Sequence, residues 1–463
     1  MFKNIFNKFI IIFFYFFFIS RFFSEKLKIL PKYIDLINFP LFFIIFFLFI
    51  VSINKKIELD EVYKKIFRFV VFFSATFLIS IVFNSNRVLM ESSLLFYIGF
   101  LEGPFLFLTL EKMVNDQENF IKNIDKIFLV LLLINLILIF TIDLPEFLLT
   151  GNPDVISGTY GYNTYQFSFL LMICGGYLLG YNYVKRYRAS LVIISQVVIL
   201  AVFYLSQFRA ALPFFLTSYL LMLGFLYGKK LVYKLIPIVA IIIFITFSII
   251  YFSRTNDKIE GLKFSDWYEI LNNPMEFLTY GKFKIYNNVL DMWSDYPETS
   301  IIGTGPGNFM SRANYTFSYE LNIQGKGVSS FVKDFFGIKA PYFTNLHMKY
   351  IYNGIKVEPI LGTYQLSNPY TSYLSSITEI GIFGGISIVL VYLFLALSSI
   401  RFLKIIRENN PNFIPLSVAL IGATSYVFML AFLENYWEMA RITLPLWLLF
   451  WTVNKMTNLK VNE

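Results

Sequence analysis

The sequence has very few of the residues that build covalent or metal-linked sites. Cys174 is the single cysteine and His347 the single histidine in 463 residues. One cysteine excludes an intrachain disulfide and a cysteine metal cluster, and one histidine excludes a site made of several histidines. The chain also has no aspartate-rich metal motif, so we expect neither a metal nor another cofactor. His347 we interpret as an ordinary loop residue.

Charge is scarce as well. Only 15% of the residues are charged while 57% are hydrophobic, whereas soluble domains carry about 25% charged residues. This composition predicts an all-α polytopic membrane protein. The net charge of +9 fits basic cytoplasmic connectors. Without a dense run of lysine and arginine it does not indicate nucleic-acid binding.

About twelve segments are apolar over a length that can cross a membrane. We therefore predict a membrane domain with nine spans in residues 1–252, a large external loop in 253–369, between spans 9 and 10, and three further spans in 370–463. Segment 5–23 counts as a span because Arg21 closes it and no cleavage site follows. The predicted spans lie near 5–23, 36–53, 66–83, 93–110, 127–142, 166–183, 190–205, 211–227, 235–252, 375–397 and 413–433, with a last one ending at Val453.

The distribution of lysine and arginine predicts the orientation of these spans. Connector 143–165 has acidic residues and no basic ones, so it should be external, whereas segments 185–188 and 229–234 are basic and should be cytoplasmic. The alternating count makes both termini cytoplasmic and loop 253–369 external. Connector 21–32 disagrees, because it is basic but falls outside on this count.

The large loop contains two patterns of interest. Segment 303–309 reads Gly-Thr-Gly-Pro-Gly-Asn-Phe, which is neither a dinucleotide fingerprint nor a P-loop. It predicts a tight turn whose backbone N–H groups could hold an anion. Before it, apolar residues recur at helical spacing and predict an amphipathic helix. They are Phe283, Tyr286, Val289, Leu290 and Trp293.

Several ionisable residues have both an ordinary and a functional interpretation. Arg209 lies between two apolar runs, where a cation costs about 2.5–3.5 kcal/mol. It either extends to lipid phosphate or binds an anionic ligand. Lys282 and Lys284 are solvated lysines of a surface helix or cations facing a ligand. Glu379 either stabilises a helix start or is a buried proton acceptor.

A further group of charges lies on the last external connector. Glu434, Glu438 and Arg441 are close together in the sequence. We expect them to form a local salt-linked turn.

Three motifs in this order resemble the superfamily of O-antigen polymerases (Wzy-type) and O-antigen ligases. The first is Ser-x-x-Arg at 206–209. The second, 281–309, is similar to a Gly-Arg-x-x-x-Trp helix leading to Pro-x-x-Gly-x-Gly-Pro-Gly-Asn-Phe, with Lys282 at the arginine position and Tyr286 at the tryptophan position. The third, 369–384, is similar to Pro-His-Asn-x-Tyr-Leu followed by Glu-x-Gly-x-x-Gly.

The third motif distinguishes the two branches of the superfamily. Tyr370 and Thr371 replace the histidine and asparagine of ligases, and ligases are thought to use that histidine in the transfer. The resemblance therefore favours a polymerase. Its large external loop and twelve-span outline imply a GT-C-like glycosyltransferase.

The resemblance implies a bacterial inner-membrane enzyme that transfers an undecaprenyl-diphosphate-linked glycan to another lipid-linked repeat unit on the outer face. It implies no metal. Its partners would be lipid-linked oligosaccharides, membrane lipid and a chain-length regulator protein. The implied catalytic residues are Arg209 and Lys282, which stabilise the leaving diphosphate, and Glu379, the base; the implied substrate-binding residues are Arg254, Arg312, Lys284 and Tyr370.

Three other functions remain open at this point. A ligase would join finished glycan to lipid A core or protein. A transporter or flippase would often show internal repeats and mid-membrane charges, and we find no repeat and few such charges. A purely structural membrane protein is the third alternative.

Overall fold

The computed structural model describes residues 2–31, 37–52, 60–86, 88–114, 116–186, 189–206, 211–228, 284–315, 350 and 371–458. Within these ranges all regular structure is helical and there is no β-strand, as the sequence predicts. The ninth predicted span and most of loop 253–369 lie outside the described residues.

The described ranges contain fifteen α-helices. Their order is α1 Phe2–Arg21, α2 Asn38–Ser52, α3 Glu61–Phe83, α4 Met90–Met113, α5 Gln117–Leu138, α6 Leu144–Thr150, α7 Thr164–Lys185, α8 Ala189–Leu205, α9 Leu212–Tyr227, α10 Lys284–Asp295, α11 Glu298–Ile302, α12 Arg312–Tyr315, α13 Ser372–Asn409, α14 Ile414–Leu430 and α15 Ala440–Met456. π-helical turns follow α1 and α5, and 3₁₀ turns precede α14 and α15.

Several of these helices are suited to a membrane. Among the described residues, seven helical segments are long and apolar enough to cross one: Ile5–Lys26, Glu61–Phe83, Met90–Met113, Gln117–Thr150, Thr164–Lys185, Ser372–Asn409 and Pro411–Leu430. Helices α2, α8 and α9 are apolar but shorter. The chain is thus a multi-pass membrane protein, and the count of twelve spans stays a prediction.

Polar residues just before the apolar runs start several helices. Asp60 accepts a hydrogen bond from the Val62 backbone N–H (3.3 Å) at the start of α3. Asp116 and Asn163 do the same for α5 and α7. These side chains satisfy N–H groups that the first turn of a helix leaves without partners.

The centre of the bundle is packed through small residues. Helix α7 lies against α14, and α4 against α15. A Cβ added at Gly176 would lie 2.8 Å from the Cα of Ala419, and one at Gly103 would lie 2.1 Å from the Trp447 ring. Glycine therefore lets these helices approach closely, as is typical of membrane bundles.

One end of the bundle carries segment 303–312, and we call it the loop end. Helices α1, α3, α5 and α14 finish there, and α4, α7, α13 and α15 begin there. The contacts of segment 303–312, described below, and the hydrogen bond from the Ser372 N–H to the Ala431 carbonyl (3.0 Å) show this arrangement. At the opposite, or far, end Asn454 donates to Asp60 (3.0 Å). Consecutive long helices therefore run in alternating directions.

The basic connector after α1 lies at the loop end together with the acidic connector 143–165. Lys26 forms an ion pair with Asp143, and their side chains are only 3% and 0% exposed. Arg21 donates to Gln166 (3.1 Å). The two connectors share one end, as the alternating count requires. The basic residues that contradicted the charge rule are partly neutralised inside the protein.

Candidate functional site

Segment 303–311 is buried at the loop end, between α3, α4 and α13. Ser92 donates its hydroxyl to the Gly307 carbonyl, and Ser93 donates to the Pro306 carbonyl (2.8 Å). Asn84 donates its amide to the Gly303 carbonyl (3.3 Å). Side chains around the α3–α4 connector thus supply the partners that buried backbone carbonyls need.

Helix α13 is broken at Gly381, whose φ of 77° and ψ of 169° are not helical. Near the break, the carbonyl of Thr378 accepts a bond from the Thr304 N–H (2.8 Å), and that of Glu379 accepts one from the Gly305 N–H (3.1 Å). A break at membrane depth requires such partners, because lipid offers none. Segment 303–311, which we call the glycine segment, therefore fills the break in α13.

The Glu379 side chain anchors the glycine segment. Its carboxylate is fully buried. One oxygen accepts the Gly307 N–H (2.5 Å), and the other accepts the N–H groups of Phe309 (3.0 Å), Met310 (2.6 Å) and Ser311 (2.6 Å). Successive N–H groups of this kind form an anion-binding concavity. The anion that it holds is the carboxylate of Glu379.

A second buried carboxylate continues this arrangement. Glu438 accepts the Arg312 N–H (2.8 Å) at one oxygen, and the Ser375 hydroxyl (2.9 Å) and Asn435 amide (2.5 Å) at the other. Burial, and then the charge of Glu379, raise the pKa of Glu438 to about 8. Two carboxyl groups therefore hold five N–H groups of one short segment.

The expected local turn of Glu434, Glu438 and Arg441 does not describe these contacts. Glu438 accepts hydrogen bonds from the Arg312 N–H and from the Ser375 hydroxyl of α13, as given above. Arg441 is buried and donates to the Phe17 carbonyl and the Ser20 hydroxyl of α1. Charges that are close in the sequence here bond to segments far away from each other, because the packing of α1 and α13 brings different partners to them.

The buried position of Glu438 predicts a pH dependence. Its folded pKa of about 8 exceeds the usual 4.5, so the folded state binds this proton more tightly than the unfolded state. The contribution of Glu438 to stability is complete below pH 4.5 and is lost as the pH rises through 8. We expect Glu438→Gln to flatten the pH dependence of the melting temperature in this range. Glu298→Gln, at an exposed acid of α11, should leave the wild-type profile; equal profiles for all three proteins would contradict the prediction.

The predicted amphipathic helix is α10, with its buried face shifted from the one predicted. Ile285, Val289 and Met292 are buried against a small apolar cluster that includes Phe309 and Leu374. Leu290, which the pattern assigned to the apolar face, is 58% exposed. The prediction of a helix is confirmed. The prediction that Leu290 belongs to its apolar face is wrong.

Tyr286 of α10 connects this helix to the start of α13. Its hydroxyl lies 3.1 Å from the Thr371 hydroxyl and donates to the Phe432 carbonyl (2.9 Å). Thr371 also caps α13 by accepting the Leu374 N–H (3.3 Å). Burial raises the pKa of Tyr286 to about 12, so this phenol remains a neutral donor.

The structure locates only part of the predicted site. Glu379 is the buried anchor, and Arg312 is half-buried at the end of the glycine segment. Lys284 begins α10, but its side chain lies outside the described residues. The remaining predicted site residues lie wholly outside them: Arg209, Arg254, Lys282 and Tyr370.

Sequence reasoning missed most partners of the glycine segment. Ser80, Asn84, Ser92 and Ser93 all bond to it or to the break in α13. A concentration of small polar residues around the short connector between two apolar spans is the signal that could have found them. Glu102, buried inside α4 and bonded to Thr443 (2.7 Å), could have been found as a charge inside an apolar run.

The chemistry available in the described part of the chain is that of carboxylates, hydroxyls and backbone amides. It contains no group of three or more histidine, cysteine or acidic residues that could hold a metal. Glu379 and Glu438 accept five N–H groups of residues 307–312, so these five groups hold the loop in place rather than an external anion. No protein-family model and no curated protein matches the chain.

Proposed function

We propose that the protein is a polysaccharide polymerase of the O-antigen type. It transfers a glycan from undecaprenyl diphosphate to another lipid-linked repeat unit on the outer face of the bacterial inner membrane. A sugar hydroxyl of the acceptor attacks the anomeric carbon of the donor. The bond to the diphosphate breaks, and the diphosphate leaves with its negative charge.

The observation that carries this proposal is the direct contact between the second and third motifs. The resemblance rests on these motifs as an ordered set, although some 70 residues separate Gly307 from Glu379. In the fold Glu379 holds the glycine segment by four N–H groups, and Tyr286 meets Thr371. A Cβ at Gly381 would strike Ile301. Because the two motifs contact each other directly, each motif needs the other to keep its position in the fold.

In this proposal the two motifs, held together by these hydrogen bonds, form the protein surface at the loop end on which the substrate binds. Cations stabilise the leaving diphosphate, because positioned charges act where charge develops in the transition state. Arg209 and Lys282 are the proposed cations, with Arg254, Arg312 and Lys284 as further contacts of the substrate. Tyr370, directly before the cap of α13, would position the acceptor. Glu379 as the base stays a prediction alongside its anchoring role.

A deletion strain and a purified protein test the proposal. Loss of a polymerase leaves single repeat units attached to the acceptor, whereas loss of a ligase leaves none attached. In vesicles with lipid-linked repeat units, the wild-type protein should form longer lipid-linked glycans. Arg209→Ala should lower that rate by about two to three orders of magnitude. Arg401→Ala, at an exposed arginine of α13, should not; an unchanged rate for Arg209→Ala at normal protein levels would contradict the role of this residue.

A transporter or flippase is a second candidate, and the broken helix α13 is the observation that favours it. Transporters bind substrates at discontinuous helices, where unwound carbonyls and helix ends are exposed. Here the carbonyls of Thr378 and Glu379 and the Glu379 carboxylate are bonded to segment 304–311. Because these groups already bond to the protein itself, they are not exposed to a transported substrate, and this favours the polymerase. Transfer of lipid-linked glycan across liposome membranes without its elongation would reverse that choice.

A further inference from the structure

A groove opens between α3 and α13 on the outside of the bundle and runs from Lys65, near the start of α3, to Phe383, two residues after the break at Gly381. Its volume is about 470 Å³, and its wall is mostly apolar. Part of that wall is exposed: Phe72 to 48%, Phe383 to 60% and Leu390 to 56%. Further apolar lining residues are Phe69, Ile386 and Phe394. An aromatic groove of this kind on a membrane helix bundle is suited to a hydrocarbon chain.

Two cations lie at one side of the groove. Lys65 and Arg68 line it, and both are exposed. The Lys65 ammonium lies 5.2 Å from the centre of the Phe394 ring. Neither residue forms a hydrogen bond or a close ion pair in the described part of the chain, and the Glu61 carboxylate interacts with both only at longer range. By contrast, Lys64 on the same helix pairs with Glu61 (2.9 Å).

The dimensions of the groove match one leaflet of a bilayer. Lys65 lies close to the start of α3 at Glu61, so the cations are toward the far end. From Phe394 to Phe383 helix α13 rises about 16 Å toward the loop end, at about 1.5 Å per residue. Half of a hydrocarbon core of about 30 Å is nearly the same depth. The groove therefore begins near the headgroups of the far-end leaflet and ends near the bilayer centre.

We propose that this groove binds an anionic glycerophospholipid from the far-end leaflet. Its phosphate is held by Lys65 and Arg68, and one acyl chain lies along Phe69, Phe72 and the exposed face of α13. The two exposed cations select a negative headgroup, and the apolar wall selects a lipid over a soluble phosphate. The headgroup position lies toward the far end, and the site does not depend on the proposed polymerase activity.

Lipid retention by the full-length protein tests this site. Protein is reconstituted in vesicles with equal amounts of phosphatidylglycerol and phosphatidylcholine, extracted in mild detergent, and its bound lipids are counted by mass spectrometry. Each basic residue near a membrane surface contributes about 1 kcal/mol to anionic lipid binding. For two such residues we therefore expect about thirtyfold enrichment of phosphatidylglycerol, and its loss in the Lys65→Gln/Arg68→Gln variant.

The controls separate charge, fold and ligand source. Lys64→Gln/Lys122→Gln removes the same charge from two lysines that pair with Glu61 and Glu118, and it should retain the enrichment. Lys65→Arg/Arg68→Lys should retain it too, which keeps the test valid if the glutamine variant folds poorly. Equal retention of both lipids by wild-type protein, or full enrichment in the glutamine variant, would overturn the proposal. So would displacement of the bound lipid by equimolar glycerol phosphate, which would indicate a site for soluble phosphate.

Discussion

Glu379→Ala is expected to lower the melting temperature of the detergent-solubilised protein by about 10 °C. The change leaves four buried N–H groups of segment 307–311 without their acceptor. Each such unsatisfied group costs about 1–3 kcal/mol, so the four together cost about 4–12 kcal/mol. For a chain of 463 residues, each kcal/mol lowers the melting temperature by about 1 °C. Polymer formation should be lost with it, because the loop that carries the second motif is no longer held against α13.

The isosteric variant Glu379→Gln separates the anchoring role from the proposed base. An amide keeps one acceptor oxygen but turns a donor toward an N–H group, so an anchor predicts a lowered melting temperature together with reduced activity. A residue that acts only as a base predicts lost activity at an unchanged melting temperature. Glu298→Gln, an exposed acid just before the same segment, is the matched control and should change neither measurement.

Gly381→Ala is expected to have an effect of similar size. A Cβ at this position would lie 1.9 Å from the Ile301 carbonyl oxygen, which belongs to backbone and cannot rotate away. The backbone values of 77° and 169° also fall in a region that is essentially restricted to glycine. We expect little folded protein, and for any that is recovered a melting temperature about 10 °C below that of the wild type.

Gly151→Ala is the control for backbone strain alone. Gly151 also has a positive φ of 67°, but an added Cβ would meet nothing within 4 Å. Only the left-handed conformation then opposes alanine, at about 1–2 kcal/mol. If Gly381→Ala and Gly151→Ala lower the melting temperature by the same small amount, the predicted effect of the close contact between α11 and the break in α13 is contradicted.

Much of the fold follows from local sequence. Runs of apolar residues predict helices at the positions of α1 to α5, α7 to α9 and α13 to α15, because a chain in lipid must satisfy its own backbone hydrogen bonds. The boundaries are less predictable. Helix α3 starts at Glu61 rather than at the apolar residue 66, since Asp60 caps it and its polar first turns remain outside the apolar core.

Local sequence also predicted the conformation of the glycine segment, but not the residue that it binds. The pattern at 303–309 predicted a tight turn with anion-binding N–H groups, and the turn indeed surrounds a carboxylate. That carboxylate is Glu379, for which the sequence predicted either a role at a helix start or that of a buried proton acceptor. Nothing near either segment specifies this pairing, because it arises only when the break in α13 packs against α11.

Composition and apolar runs establish a multi-pass helical membrane protein whose polar residues concentrate in segment 253–369. Composition and periodicity suffice for this, since they decide which segments enter lipid. The partners of the buried charges follow instead from the packing of the helices: Lys26 with Asp143, segment 307–311 with Glu379, and Arg312 N–H with Glu438. Each pair is far apart in the chain, and a buried polar group bonds to whatever packing brings within reach, not to its neighbour in sequence.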